Sequence, residues 1–301
     1  KPTYGMKATE YITNLLEYNG EGLKKDNTPD QNIRYYGSNP NNYVLFNNEL
    51  WRIIGVFNDN VKLIRKDSLG WLSWDSSEES INEGWGVNEW STSALKNYLN
   101  TMYYGGTSVT CYDGQYKKEV TCPTNKLDDA SKTLIDNHTW KTGAPIRETL
   151  HDSTTNSLDT VEFYKAERGT VNGKICTRGL WCNDTVNRTT TWTGYVALPY
   201  ITDWAYASSE NDCNTMIDQS STYKCKNNNW MHRGDSTWYL SPGADSGRAS
   251  LVWSVNGAGE AYRDSASNSN GVAPAIYLKS NVLIESGNGR EDTPYTLKAG
   301  K

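Results

Sequence analysis

The sequence predicts an α+β fold: two helices, a mostly antiparallel twisted sheet and long loops, preceded by a short N-terminal helix. Three observations predict it. Short apolar runs rich in β-branched and aromatic residues recur between polar, turn-forming stretches, as strands do. Two internal segments instead carry apolar residues at helical spacing. No 20–50-residue repeat is visible, which removes solenoids and propellers. The 301 residues suffice for one large domain with a sizeable core.

The core has an unusual composition. Only 36% of the chain is apolar, yet 12% is aromatic, with 12 Trp and 20 Tyr but 3 Phe. That aromatic content excludes disorder. A core short of aliphatic residues but rich in Trp and Tyr implies an irregular, loop-heavy fold. Its rings can each pack a face and still satisfy an N–H or O–H. A net charge of −5, with no Lys/Arg cluster, argues against nucleic acid as a partner. No apolar run approaches the roughly 20 residues of a membrane span. The chain opens at Lys1, so the lack of a signal peptide carries no information.

In chain order, residues 6–18 place Ala8, Tyr11, Ile12, Leu15, Leu16 and Tyr18 near one helical face, and Gly20 and Gly22 end it. We expect residues 1–30 to form this helix, as a stalk or docking element, and a polar linker. Residues 31–301 would then be the binding domain. Strands follow at 43–46, 51–57 and 61–65, the last two joined as a hairpin through Asn58, Asp59 and Asn60. Ser91 or Ser93 can cap a helix carrying Leu95, Tyr98, Leu99 and Met102. A second helix is expected over 127–137, with Ala130, Leu134 and Ile135 inward. The stretch 140–191 has few periodic signals and is too long for a connector, so it reads as a functional excursion or a covering loop. Residues 194–200 read as a strand.

The six cysteines fall into near-neighbour pairs: Cys111 with Cys122, Cys176 with Cys182, and Cys213 with Cys225. Fifteen connectivities are open to six cysteines. Local pairing is the simplest, and three disulfides would place the chain in an oxidising, extracellular setting. No CxxC or Cys/His zinc pattern occurs, and no metal or cofactor is expected. Hard oxygen ligands in the cysteine-closed loops (Asn183, Asp184, Glu210, Asn211, Asp212) lack EF-hand spacing. His138, His151 and His232 sit far apart in polar contexts and build no catalytic motif. There is no nucleophile elbow, P-loop or dinucleotide fingerprint, and nothing singles out a carboxylate pair. No catalytic residue is assigned.

The region 238–284 organises the rest. Strands at 238–240, 251–255 and 275–278 alternate with two stretches, 243–250 and 256–271, built of Gly, Ala, Ser, Asn, Asp, Arg and Tyr. Adaptable polar loops on a rigid sheet are where binding resides, and Tyr with Ser, Gly and Asn is also the vocabulary of antibody paratopes. The predicted contact set is Trp238, Asp245, Arg248, Trp253, Tyr262, Arg263, Asp264 and Asn268. Trp and Tyr would supply stacking area, the arginines bidentate donors, and Asp and Asn hydrogen bonds. Trp71, Trp74, Trp85 and Trp90 lie in a polar region where not all can be core, which again suits a binder.

Several runs carry a resemblance: 35–43 (YYGSNPNNY), 49–57 (ELWRIIGVF), 61–65 (VKLIR), 192–194 (WTG), 228–230 (NNW) and 271–279 (GVAPAIYLK). Together they resemble a large family of surface proteins from gut Firmicutes, over about residues 18–297. The family commonly has Gly-Val-Arg-Pro where this chain has Ala273 in third place. Many relatives carry a type IV pilin-like N-terminal segment, of which the first helix here would be the exposed end. The order of elements is similar to the C-type-lectin-like fold. Residues 181–184 (WCND) do not reproduce the lectin calcium motif, so no calcium or sugar site is carried over. Residues 243–270 are also similar in composition to the loops of variable proteins diversified by retroelements.

The resemblance and the composition together imply an extracellular or cell-surface bacterial domain, an adhesin or pilin-like ectodomain. Its partner would be a protein or glycan on a host, microbial or phage surface. Membrane contact would come only through an N-terminal anchor. The alternatives are a homo-oligomeric filament subunit without a specific ligand, and an enzyme of the formylglycine-generating type.

Overall fold

The computed structural model describes residues 1–146, 151–152, 157–169, 188–218, 223–243 and 249–301. It is an α+β fold built mainly on antiparallel pairing. The first sheet has six strands. Leu23–Lys25, Ile33–Tyr35, Glu49–Phe57, Asn60–Arg65 and Ala275–Tyr277 lie side by side, and Tyr43–Phe46 pairs with the upper half of Glu49–Phe57. The expected hairpin is present. Asn58, at φ 52°, turns the chain between Phe57 and Asn60, a left-handed position that Asn tolerates. The C-terminal strand enters this sheet in register Ile276 with Leu63, so first and last thirds of the chain share one sheet.

The second sheet runs Ala261–Ser265, Leu251–Val255, Thr237–Pro242, Ser269–Gly271 and Trp71–Ser73. Only the Thr237–Gly271 contact is parallel. Here the expectation of one loop across 256–271 is corrected. The chain makes a hairpin at Asn256–Gly259 and returns as an edge strand, with Tyr262 opposite Ser254 and Asp264 opposite Val252. Its polar residues gave no strand signal because one face of an edge strand can stay wet.

Between the sheets the core is aromatic. Trp51, Trp74, Trp90, Trp140, Trp204, Trp238 and Trp253 are all fully buried. The expectation that such rings keep their N–H groups satisfied holds for several. Trp74 donates to the carbonyl of Tyr239 at 3.2 Å, Trp140 to Gly194 at 3.1 Å and Trp238 to Leu72 at 2.8 Å. Of the four tryptophans between 71 and 90, Trp74 and Trp90 are core, Trp85 is half-buried and Trp71 is exposed.

The N-terminal helix, Ala8–Tyr18, is docked rather than a stalk. Ala8, Tyr11 and Ile12 are buried, Tyr11 meets Tyr295 edge-on at 5.5 Å, and Ala8 N–H donates to Val282 O at 2.8 Å. Strand Leu23–Lys25 then pairs with Ile33–Tyr35. The expected boundary at 30/31 therefore falls inside a hairpin, and residues 1–30 belong to the same body.

Two further expectations change, while the first internal helix is found where it was expected. The helix expected over 127–137 is only Asp129–Lys132, capped by Asp128 accepting from Ser131 N–H at 2.7 Å. Short helices are marginal, and the sheet edge wins: Asp136 N–H donates to Tyr277 O, and Ile135 bridges Leu278. The first internal helix begins at Ala94 under a Ser93 cap and widens into a π-helix over Tyr98–Tyr104. Gly194 ends a strand, and residues 195–200 make only one bridge, Ala197 with Ala275, before the buried helix Ile201–Tyr206. The described part of 140–191 packs into the body. Strand His138–Lys141 pairs with Thr191–Gly194, and helix Thr160–Glu167 sets Phe163 edge-on against Trp253 at 4.8 Å.

Disulfides join Cys111 to Cys122 and Cys213 to Cys225, as expected, whereas Cys176 and Cys182 lie outside the described residues. Among the described residues no helix is long and apolar enough to cross a membrane.

Candidate functional site

The chemically richest cluster is sealed inside. Asp203 accepts from Arg34 Nη1 at 2.7 Å, Lys62 Nζ at 2.6 Å and the N–H of Tyr200 at 2.9 Å. Asp26 takes Arg34 Nε at 2.9 Å. Burial opposes the charge on Asp203, but Lys62 and Arg34 hold its carboxyl down at about 2. Burial pulls Lys62 down to about 8, and Phe57, Trp140, Tyr200 and Tyr277 surround its ammonium. Nearby Glu167, pushed up to about 7 by burial, accepts from the N–H and hydroxyl of Thr202. With side-chain exposures of 0–1%, the Arg34–Asp203–Lys62 group touches no solvent. It ties helix Ile201–Tyr206 to the first sheet and presents nothing to a ligand.

Of the eight residues expected to contact a ligand, Asp245 and Arg248 lie outside the described residues. Trp238 and Trp253 are corrected to core: both are 0% exposed. The strand carrying Trp253 is buried along its whole length, because both faces of the second sheet are covered there. The Trp253 N–H donates to Pro145 O at 3.2 Å.

The other four sit on the edge strand and the turn after it, and strand alternation divides them. Arg263 points to one side, over Gly243. A Cβ at Gly243 would come within 2.7 Å of the arginine chain, and the guanidinium lies 5.8 Å from the Trp253 ring. Tyr262 and Asp264 point to the other side. There Asp264 accepts from the Tyr262 hydroxyl at 3.2 Å, from Asn270 Nδ2 at 3.0 Å and from Asn268 Nδ2. Tyr262, Asp264 and Asn268 thus form one pre-ordered polar patch, and Arg263 is not part of it.

Ser236 marks the border of a feature that the sequence did not reveal. Its neighbours Asp235 and Thr237, with Gly271, line a cleft of about 350 Å³. Trp71, 47% exposed, forms one wall and Trp230 another. Three cations face it: Arg52, Lys66 and Arg233. Arg52 is 7% exposed. It donates from Nε to Asn42 Oδ1 at 2.8 Å and from Nη2 to Asn39 Oδ1 at 3.1 Å, stacked 4.0 Å from the Tyr43 ring and 4.8 Å from Trp230. Burial lowers its pKa to about 10, and neighbouring Arg233 adds to that. Arg233 donates to the carbonyls of Lys66 at 2.5 Å and Arg65 at 2.6 Å. His232 places Nε2 3.2 Å from Gly257 O, which leaves Nδ1 as the second ring nitrogen, buried and without a partner among the described residues.

These residues come from strand Glu49–Phe57, the turn after Asn60–Arg65, strand Trp71–Ser73 and the segment before Thr237–Pro242. Their separation in sequence hid the cleft. One signal was present: three of the runs noted above, 49–57, 228–230 and 271–279, supply Arg52, Trp230 and Gly271. A second depression, beside Asp75, Ser93, Lys96 and Lys117, is shallower in chemistry. Burial raises Asp75 to about 6, but its carboxylate is spent on the N–H groups of Val87 at 2.7 Å and Ala94 at 3.0 Å.

No group of three or more His, Cys, Asp or Glu able to hold a metal ion occurs among the described residues. The four described cysteines are all in disulfides, so none offers a reactive thiol of the kind a formylglycine-generating enzyme needs. No protein-family model, curated protein or solved structure matches the chain.

Proposed function

We propose that this chain is the ligand-binding domain of an extracellular or surface-displayed adhesin, built on a C-type-lectin-like arrangement. The carrying observation is the cleft beside half-exposed Trp71, whose lining residue Gly271 directly follows Asn270, a donor to Asp264 in the Tyr262–Asp264–Asn268 patch. A concave site with an aromatic wall, a few placed polar groups and a pre-ordered rim is what a specific binder needs. Two local disulfides fit an oxidising environment. The filament reading relied on the N-terminal helix for assembly, and the apolar face of that helix is already covered by its own body. That observation favours the binder.

A screen of immobilised glycans and surface proteins against the full chain, with Trp71→Ala and Tyr262→Ala beside it, tests the reading. We expect at least one ligand whose binding each variant weakens by about tenfold or more while the fold is kept. A ligand bound equally by both folded variants, or none at all, would overturn the placement.

A further inference from the structure

Charge in the cleft is unevenly compensated. Its two carboxylates, Asp67 and Asp235, are exposed and make no ion pair among the described residues, although Asp67 acts on Arg233 and Lys66 at longer range. Its arginines are different. Arg52 is nearly buried and Arg233 half-buried, yet neither has a carboxylate within ion-pairing distance among the described residues. Neutral amide and carbonyl oxygens take their N–H groups instead. The nearby acids are engaged elsewhere: Glu49 holds Arg65 at 2.8 Å and Glu291 holds Lys66 at 3.1 Å. Two guanidinium groups therefore share one cavity without a contact ion pair, and Glu291 and Asp67 offset their charge only from a distance. Removing cations from water is costly unless an anion compensates, and the guanidinium fork matches a carboxylate or sulfate in particular. His232, whose buried Nδ1 has no partner among the described residues, also lines the cleft.

We infer that the cleft takes an oxyanion borne on a saccharide, an acidic sugar whose carboxylate or sulfate sits between Arg52 and Arg233. Trp71 offers its exposed ring to the sugar face, and Asp67 and Asp235 accept from hydroxyls at the rim. This inference rests on the binding reading above and supplies the ligand's chemical class. Arg52 is the deeper anchor, braced by Tyr43 and Trp230, whereas among the described residues Arg233 is hydrogen-bonded only to two backbone carbonyls and is the better probe.

Calorimetric titration of the full chain with oligosaccharides identical except for one carboxylate or one sulfate tests it. The acidic member of a pair should bind about tenfold or more tightly than the neutral one. Arg233→Gln should erase that preference, and near-UV circular dichroism reports whether the variant is folded. A wild-type measurement guards against a variant that unfolds: glucuronate should raise Tm saturably where glucose at equal concentration does not. Equal binding of charged and neutral pairs, a preference surviving in folded Arg233→Gln, or no saturable glucuronate effect would each overturn the inference. If neutral ligands bind and Trp71→Ala abolishes them, the binding reading stands while the anion assignment falls. Whether the carboxylate or sulfate series binds more tightly identifies the source of the oxyanion.

Discussion

Replacing Asp203 by Asn and Lys62 by Met should have very different effects, although the two side chains touch. Lys62 is held at about 8 rather than 10.5, so as an ammonium it is less favourable in the fold than in the open chain, even with Asp203 beside it. At about 1.4 kcal/mol per pH unit, that difference is on the order of 3 kcal/mol below pH 8. Lys62→Met removes this cost and fills the ring of Phe57, Trp140, Tyr200 and Tyr277 with an apolar chain. Asp203 keeps Arg34 and the Tyr200 N–H. Stability should then stay within about 1 kcal/mol of wild type or rise, because Asp203 remains compensated by Arg34 and no buried charge is left unpaired. Asp203→Asn instead leaves Lys62 and Arg34 facing each other without their shared anion, and should lose about 3–5 kcal/mol. Urea unfolding at pH 7, followed by the fluorescence of the buried tryptophans, measures both, provided the m-value is unchanged. Equal losses, or a larger loss for Lys62→Met, would refute the view that Asp203 is the indispensable member.

Glu167 is raised to about 7 by burial, so the folded chain holds a proton there that the unfolded chain releases near 4.5. Its contribution is present below pH 4.5 and is lost as pH rises through about 7, so Glu167→Gln should flatten the decline of stability across that window in a Tm-versus-pH series. Unchanged curvature would count against the assignment. Reduction of the Cys111–Cys122 and Cys213–Cys225 bridges, whose ends lie 11 and 12 residues apart, should cost about 2–3 kcal/mol each, read as a drop in urea midpoint with and without dithiothreitol. If the C-terminal region is diversified, alleles sequenced from sibling isolates should vary at Tyr262–Ser265 and Asn268 and remain fixed across Leu251–Val255, which is buried throughout. Equal variation in both would exclude this surface as the diversified one.

Strand and helix signals were legible where one chemical face repeats locally. The 43–46, 51–57 and 61–65 strands and two cysteine pairs lie within about a dozen residues of their partners, and the first helix closes its own hydrogen bonds, so composition and period specify them. The edge strand Ala261–Ser265 was not legible. Its sequence, AYRDS, is that of a loop, and it becomes a strand because Leu251–Val255 offers it a ladder. For the same reason the helix expected over 127–137 stops early, captured by the backbone of Tyr277.

The site divides along the same line. Alone, the sequence determined that this chain is rich in aromatic rings able to pack and hydrogen-bond, that its charge does not suit nucleic acid, and that polar residues crowd its C-terminal third. It could not say which rings face solvent, because Trp71 and Trp253 sit in similar local text. Exposure depends on what packs above a residue, and for Trp253 that is Phe163, 90 positions away. The cleft is a still stronger case. Arg52, Trp71, Trp230 and Arg233 acquire a common chemistry only when two sheets bring their strand ends together, and a charge left without its counterion can be recognised only there.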